Sequence, residues 1–100
     1  MRLKQRDVDA IKTATCDVFG ATATVRLYGS RTRDDLRGGD IDLLIEADVS
    51  DQPVWRRVGA FKDLLFRHID EQKVDVVLVE RGRPLSAFAR LIAPDSIVIA

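Results

Sequence analysis

Two aliphatic runs in this chain are each interrupted by a carboxylate, and this restricts the fold more than any other feature. The runs are Ile41-Asp-Leu-Leu-Ile45 and Val74-Asp-Val-Val-Leu-Val79. Aliphatic residues at this density read as strands of a sheet mostly covered on both faces. A charge inside such a strand is rare without a partner. Side chains two apart on a strand share a face. Asp40 and Asp42 therefore project together, while Ile41, Leu43 and Ile45 point into the core. Asp75 points away from the Val74 and Val76 that flank it. One face of the sheet must open where the aspartates stand.

The remaining elements fall around these strands. Val8, Ile11, Thr15, Val18 and Phe19 recur at helical spacing and predict a helix from about Lys4 to Phe19, capped by Gly20. Thr24-Val-Arg-Leu-Tyr28 predicts a strand, Ser30 starts a short helix or turn, and Gly38-Gly39 forces a turn. Ile41 to Glu46 is the next strand. Pro53 suits the first turn of a helix that runs to about Gln72, with Val54, Val58, Phe61, Leu65 and His68 along its stripe. Lys73 to Val79 is a third strand, Leu85 to Ala93 a short helix closed by Pro94, and Ser96 to Ile99 an edge strand. The fold class is α/β (α+β), a small mixed β-sheet with helices packed on it. At 100 residues the chain makes one domain, 1–100, with one core.

Composition removes several classes of function. Charged residues make up 32% of the chain, and no apolar run approaches the roughly 20 residues of a bilayer span. The N-terminus enters an amphipathic helix without an apolar signal region, which predicts a cytoplasmic protein. Sixteen basic and sixteen acidic residues leave no net charge to hold a nucleic-acid backbone. The single Cys16 has no disulfide partner and reads as a packed thiol beside the first helix's stripe.

The segment Tyr28-Gly-Ser-Arg-Thr-Arg33 supplies a complement to the aspartates. Gly29 lets backbone approach a phosphate closely. A helix start after it offers free N–H groups and the positive end of a dipole. The Ser30 hydroxyl can donate to the same anion, and Arg31 and Arg33 stand near enough to neutralise a triphosphate. Two carboxylates side by side repel each other, and a divalent cation removes that cost. If the third strand neighbours the second, Asp75 completes a three-carboxylate cluster suited to Mg²⁺. Each part has a plainer reading. Gly29-Ser30 alone is usually a turn, Asp40 and Asp42 could be solvated, and Asp75 could pair with an arginine. Asp34 and Asp35 read as a solvated loop, Glu46 as a strand-end surface charge, and His68 as a packed histidine rather than a base. Trp55 lies off its helix's apolar stripe, at the core edge or at a partner contact.

Together, Gly29-Ser30, Asp40-Ile-Asp42 and Asp75 resemble the nucleotidyltransferase superfamily that includes DNA polymerase beta, and within it the minimal nucleotidyltransferase (MNT) proteins. The resemblance covers nearly the whole chain and implies a polymerase beta palm-like fold. It also implies that Gly29 and Ser30 hold a nucleoside triphosphate, that Asp40 and Asp42 bind two Mg²⁺ ions, and that Asp75 joins the catalytic metal and helps activate the acceptor hydroxyl. Gly38-Gly39 stands where many relatives carry a serine before the first aspartate. MNT proteins typically pair with a small helical HEPN ribonuclease toxin and act as its antitoxin, transferring AMP from ATP to a tyrosine of the toxin. The resemblance thus implies a hetero-oligomer with a HEPN partner, ATP as substrate, and no direct contact with nucleic acid or membrane. Two alternatives stay open: an antitoxin that neutralises by stoichiometric binding alone, and a small-molecule nucleotidyltransferase. The chain has no room for the acceptor-binding domain that larger relatives add, which counts against the second.

Overall fold

The computed structural model describes residues 3–29 and 41–99. Its elements are α1 (Gln5–Phe19), β1 (Thr24–Tyr28), β2 (Ile41–Ala47), α2 (Val54–Leu65), β3 (Val74–Glu80), α3 (Ala87–Ile92), a 3-10 turn (Ala93–Asp95) and β4 (Ile97–Val98). The four strands form one mixed sheet in the order β3-β2-β1-β4. β1 runs antiparallel to both β2 and β4, and β2 runs parallel to β3. A parallel pair needs a crossover connection, and α2 provides it.

Alternation along the strands divides the sheet into two unlike faces. Val25 and Leu27 of β1, Ile41, Leu43 and Ile45 of β2, and Val74 of β3 are buried with Val8, Ile11, Ala14 and Phe19 of α1 and Phe61 and Leu65 of α2. Phe19 and Phe61 meet at 5.8 Å between ring centroids, joining the two helices over the sheet. Full burial of each large aliphatic or aromatic side chain contributes about 1.5–3 kcal/mol, so this layer carries most of the stability. Arg57 of α2 is also buried, at 6% exposure, with its guanidinium 5.1 Å from the Phe19 ring centroid.

The opposite face carries Thr24, Arg26 and Tyr28, then Asp42, Leu44 and Glu46, then Asp75, Val77 and Val79. Among the described residues, α3 and the 3-10 turn lie over it. Ser86 caps α3 by accepting the Ala89 N–H at 3.1 Å, and Ala89 is fully buried against the sheet. Coverage on both faces, expected from the aliphatic runs, is therefore realised by long helices on one side only.

Three local expectations change. α2 ends at Leu65 rather than near Gln72. Arg67 and His68 then donate to Leu64 and Leu65 carbonyls in tight turns, and Ile69 is buried. A 12-residue helix is about 18 Å long, close to the ~23 Å of a seven-residue strand. A longer helix would overshoot the point where β3 must begin. Consequently His68 lies in the turn and is exposed, not packed on a stripe. Cys16 is also exposed. At 3.6 residues per turn it stands about 140° around α1 from the fully buried Ile11, away from the sheet.

Arg81, just past β3, ties three segments together. Its Nε donates to Glu46 Oε1 at 3.1 Å, its Nη1 to Asp48 Oδ1 at 3.2 Å, and its Nη2 to the Thr22 carbonyl oxygen. Trp55 is exposed, with the Arg56 guanidinium 5.5 Å from its ring centroid. Among the described residues, no helix is long and apolar enough to cross a membrane.

Candidate functional site

Strand register sets Tyr28, Asp42 and Asp75 in one row across β1, β2 and β3. Tyr28 pairs with Asp42 in the antiparallel ladder, and Asp42 pairs with Asp75 in the parallel one. All three are half-buried and share the sheet face that the long helices leave open. Directly opposed residues on neighbouring strands place their Cβ atoms about 4.5–5.5 Å apart. Two carboxylates at that separation repel each other unless a cation stands between them.

Gly29 follows Tyr28 and closes against the same carboxylate. Its φ is +80°, a conformation that side chains disfavour. A Cβ added there would strike Asp42 Oδ2 and would lie 3.3 Å from Asp42 Cγ. The glycine is therefore required twice, by its backbone and by the acid packed on it. Chain direction, turn and carboxylate position are coupled at this point.

The phenol of Tyr28 feels the row directly. Burial, then the charge of Asp42, then that of Asp75, all raise its pKa above the ordinary value of 10.0. Its ring is held edge-on by Phe88 of α3, with centroids 5.9 Å apart and planes at 78°. Beside it lies a cavity of about 340 Å³, lined by Tyr28, Gly29, Leu91, Ile92 and Asp95. A second cavity of about 380 Å³ lies further along the same face, between Arg26, Leu44, Glu46 and Val79 of the sheet and Ala89 and Pro94 above it.

Of the residues singled out in the sequence, Gly29, Asp42 and Asp75 are brought together. Ser30, Arg31, Arg33 and Asp40 lie outside the described residues, as do Asp34, Asp35 and the Gly38-Gly39 turn. Among the described residues, no ion pair to an arginine engages Asp75. Glu46, on the same face as Asp42, is instead exposed and paired with Arg81, as a strand-end charge should be. Among the described residues, no three His, Cys, Asp or Glu side chains cluster as a metal-holding set. The carboxylate pair, with a third aspartate two positions before Asp42, still has the hard oxygen chemistry that suits Mg²⁺.

The phenol of Tyr28 and the end of α3 are parts of the site that the sequence did not announce. Tyr28 was legible as a strand residue, but its place opposite Asp42 depends on an antiparallel register that neither strand encodes alone. A family model described as a nucleotidyltransferase domain matches residues 8–93, an interval that spans α1 to the 3-10 turn and holds the whole row. No curated protein matches the chain.

Proposed function

We propose, for a chain that belongs to the nucleotidyltransferase domain family, that its nucleotidyl transfer is adenylylation of a protein. AMP passes from ATP to a tyrosine hydroxyl of a cognate HEPN ribonuclease toxin, and the chain acts as the antitoxin of that pair. The observation that carries the reading is the row Tyr28–Asp42–Asp75 on an open sheet face, with Gly29 closed against Asp42. What supports a macromolecular acceptor is the apolar surface that α3 exposes on that face. Phe88 and Leu91 of α3 remain 49% and 73% exposed beside the row, an apolar margin against which an incoming chain can pack.

Asp42 and Asp75, with Asp40, are the residues that would hold Mg²⁺. When bound, the metal polarises the phosphoryl oxygens and favours the ionised form of the attacking hydroxyl. The chain's own residues do the rest. Gly29 and Ser30 seat the triphosphate, and Arg31 and Arg33 offset its charge. The acceptor oxygen forms a bond to the α-phosphorus, the bond from that phosphorus to the bridging oxygen breaks, and pyrophosphate departs. Asp75, on the outer strand of the row, receives the hydroxyl proton. Asp42 between its two neighbours fixes the site's centre, and Gly29, lacking a Cβ, leaves room for its carboxylate against the end of β1.

The test is the intact mass of the toxin after incubation with this chain, ATP and Mg²⁺. A gain of one or more AMP masses that disappears with Asp42→Asn supports the proposal. An inhibited toxin of unchanged mass in a stable complex refutes transfer and leaves neutralisation by binding.

A further inference from the structure

We infer that the cavity between Gly29 and the end of α3 seats the nucleobase of the triphosphate, and that Asp95 selects bases bearing an amino group. The inference rests on the nucleotidyltransferase reading of the row and adds the part of the substrate that the phosphate cradle does not read.

The cavity lies between Gly29, beside the proposed triphosphate cradle, and Leu91, Ile92 and Asp95 at the end of α3 and in the turn after it. Its walls are of two kinds. Tyr28, Leu91 and Ile92 present an aromatic ring and aliphatic side chains, a surface suited to a flat heterocycle. The Tyr28 ring meets Phe88 of α3 edge-on, which joins this wall to the helix above it. Among the described residues, Asp95 contributes the cavity's carboxylate, from the 3-10 turn that follows α3. That charge decides between occupants. Another segment of the triphosphate is anionic and would be repelled, whereas a neutral base with outward N–H groups would be attracted.

An ionised carboxylate only accepts hydrogen bonds. Adenine, guanine and cytosine each offer an amino group to it. Uracil offers a single N–H flanked by two carbonyl oxygens, which the carboxylate repels. CTP and UTP are nearly the same size and differ in this edge, so their ratio isolates the effect of Asp95 from that of cavity volume. Asp95 is exposed, so substituting it leaves the core intact.

The experiment is calorimetric titration of the whole chain with Mg²⁺ and CTP, UTP, ATP, GTP or inorganic tripolyphosphate, in the wild type and in Asp95→Asn. In the wild type, CTP, ATP and GTP should bind more tightly than tripolyphosphate, and UTP should bind about five- to tenfold more weakly than CTP, the effect of one charge-assisted hydrogen bond at a partly solvated site. In Asp95→Asn the CTP–UTP gap should close to about twofold or less, with tripolyphosphate affinity unchanged or slightly tighter as one negative charge is removed. Equal affinity for CTP and UTP in the wild type, or a gap unchanged by Asp95→Asn, overturns the inference while the transfer reading stands. Nucleosides that add nothing to tripolyphosphate affinity overturn it in the same way. Failure of every nucleotide and of tripolyphosphate to bind removes the transfer reading itself, and the inference with it.

Discussion

Replacing Gly29 by alanine separates two effects that usually arrive together, backbone strain and displacement of a functional group. Gly29 has φ +80° and Gly82, in the turn after β3, has φ +83°. The backbone cost of a Cβ at either is about 1–2 kcal/mol, out of a total stability of ~5–15 kcal/mol for a domain of this kind. In a chain of this length that lowers the melting temperature by roughly 5–15 °C. Beyond the backbone the two positions differ. A Cβ at Gly82 meets nothing within 4 Å, whereas one at Gly29 strikes the Asp42 carboxylate. The carboxylate is the end of a rotatable side chain, so it yields instead of unfolding the protein, and it moves by on the order of 1 Å. A displacement of that size at a reacting centre costs about 10²-fold in rate. Gly29→Ala and Gly82→Ala should therefore melt at similar temperatures, while only Gly29→Ala loses transfer, by about 10²-fold. Melting would be followed by circular dichroism, and transfer by release of pyrophosphate in the presence of acceptor. Wild-type turnover by Gly29→Ala, or an equal loss in both variants, would refute the link between this glycine and the position of Asp42.

Three further outcomes follow from the same geometry. Asp75→Asn should reduce transfer by at least about 10²-fold yet leave the metal-free protein as stable as the wild type or more so, because it relieves the repulsion with Asp42. Mg²⁺ at a hundred times its Kd should stabilise the wild type by about 2.7 kcal/mol, and Asp75→Asn should lose most of that gain; a full Mg²⁺ response in the variant would contradict the paired-carboxylate site. Tyr28 is the chain's one tyrosine, so ultraviolet titration reads its phenol alone: the midpoint should lie above 10.0 and fall when Mg²⁺ or Asp42→Asn removes negative charge. Because the folded protein holds this proton to higher pH than the unfolded chain, stability is complete below pH 10 and declines as pH rises through the folded value. Tyr28→Phe should flatten that decline, and an unaltered pH–stability curve would count against it. Arg57 is buried with its Nη1 lacking a hydrogen-bond partner; Arg57→Met should be neutral or stabilising in urea denaturation, and a loss above about 2 kcal/mol would show that its contact with Phe19 outweighs the buried charge.

The layout of the sheet was open to reading because its strands advertise themselves. β1 spans the predicted Thr24–Tyr28, and β2 and β3 differ from expectation by a residue at their ends. Period-two alternation gave the parity of Asp42 and Asp75 and hence their shared face. What the alternation cannot carry is who pairs with whom. Asp42 opposite Asp75, and Tyr28 opposite Asp42, depend on the way α2 and the β1–β2 connection set the register. The end of α2 was hidden for a related reason. Phe66 to Gln72 contains no glycine or proline, and the helix stops because β3 must start level with β2, a tertiary demand with no local mark. Cys16 differs from expectation by its angle around α1, and His68 because α2 ends before reaching it. Asp95 carried no signal in sequence, since a lone aspartate after a proline reads as a turn.

Asp42 and Asp75 belong to one site but are separated in sequence by the entire α2 crossover. Closing that loop costs chain entropy before any contact between β2 and β3 repays it, so the site exists only once β3 has paired with β2. A divalent ion held by both aspartates, as the proposed function requires, would tie β3 to β2 across the crossover. Added Mg²⁺ should then slow hydrogen exchange of the amides paired between β2 and β3.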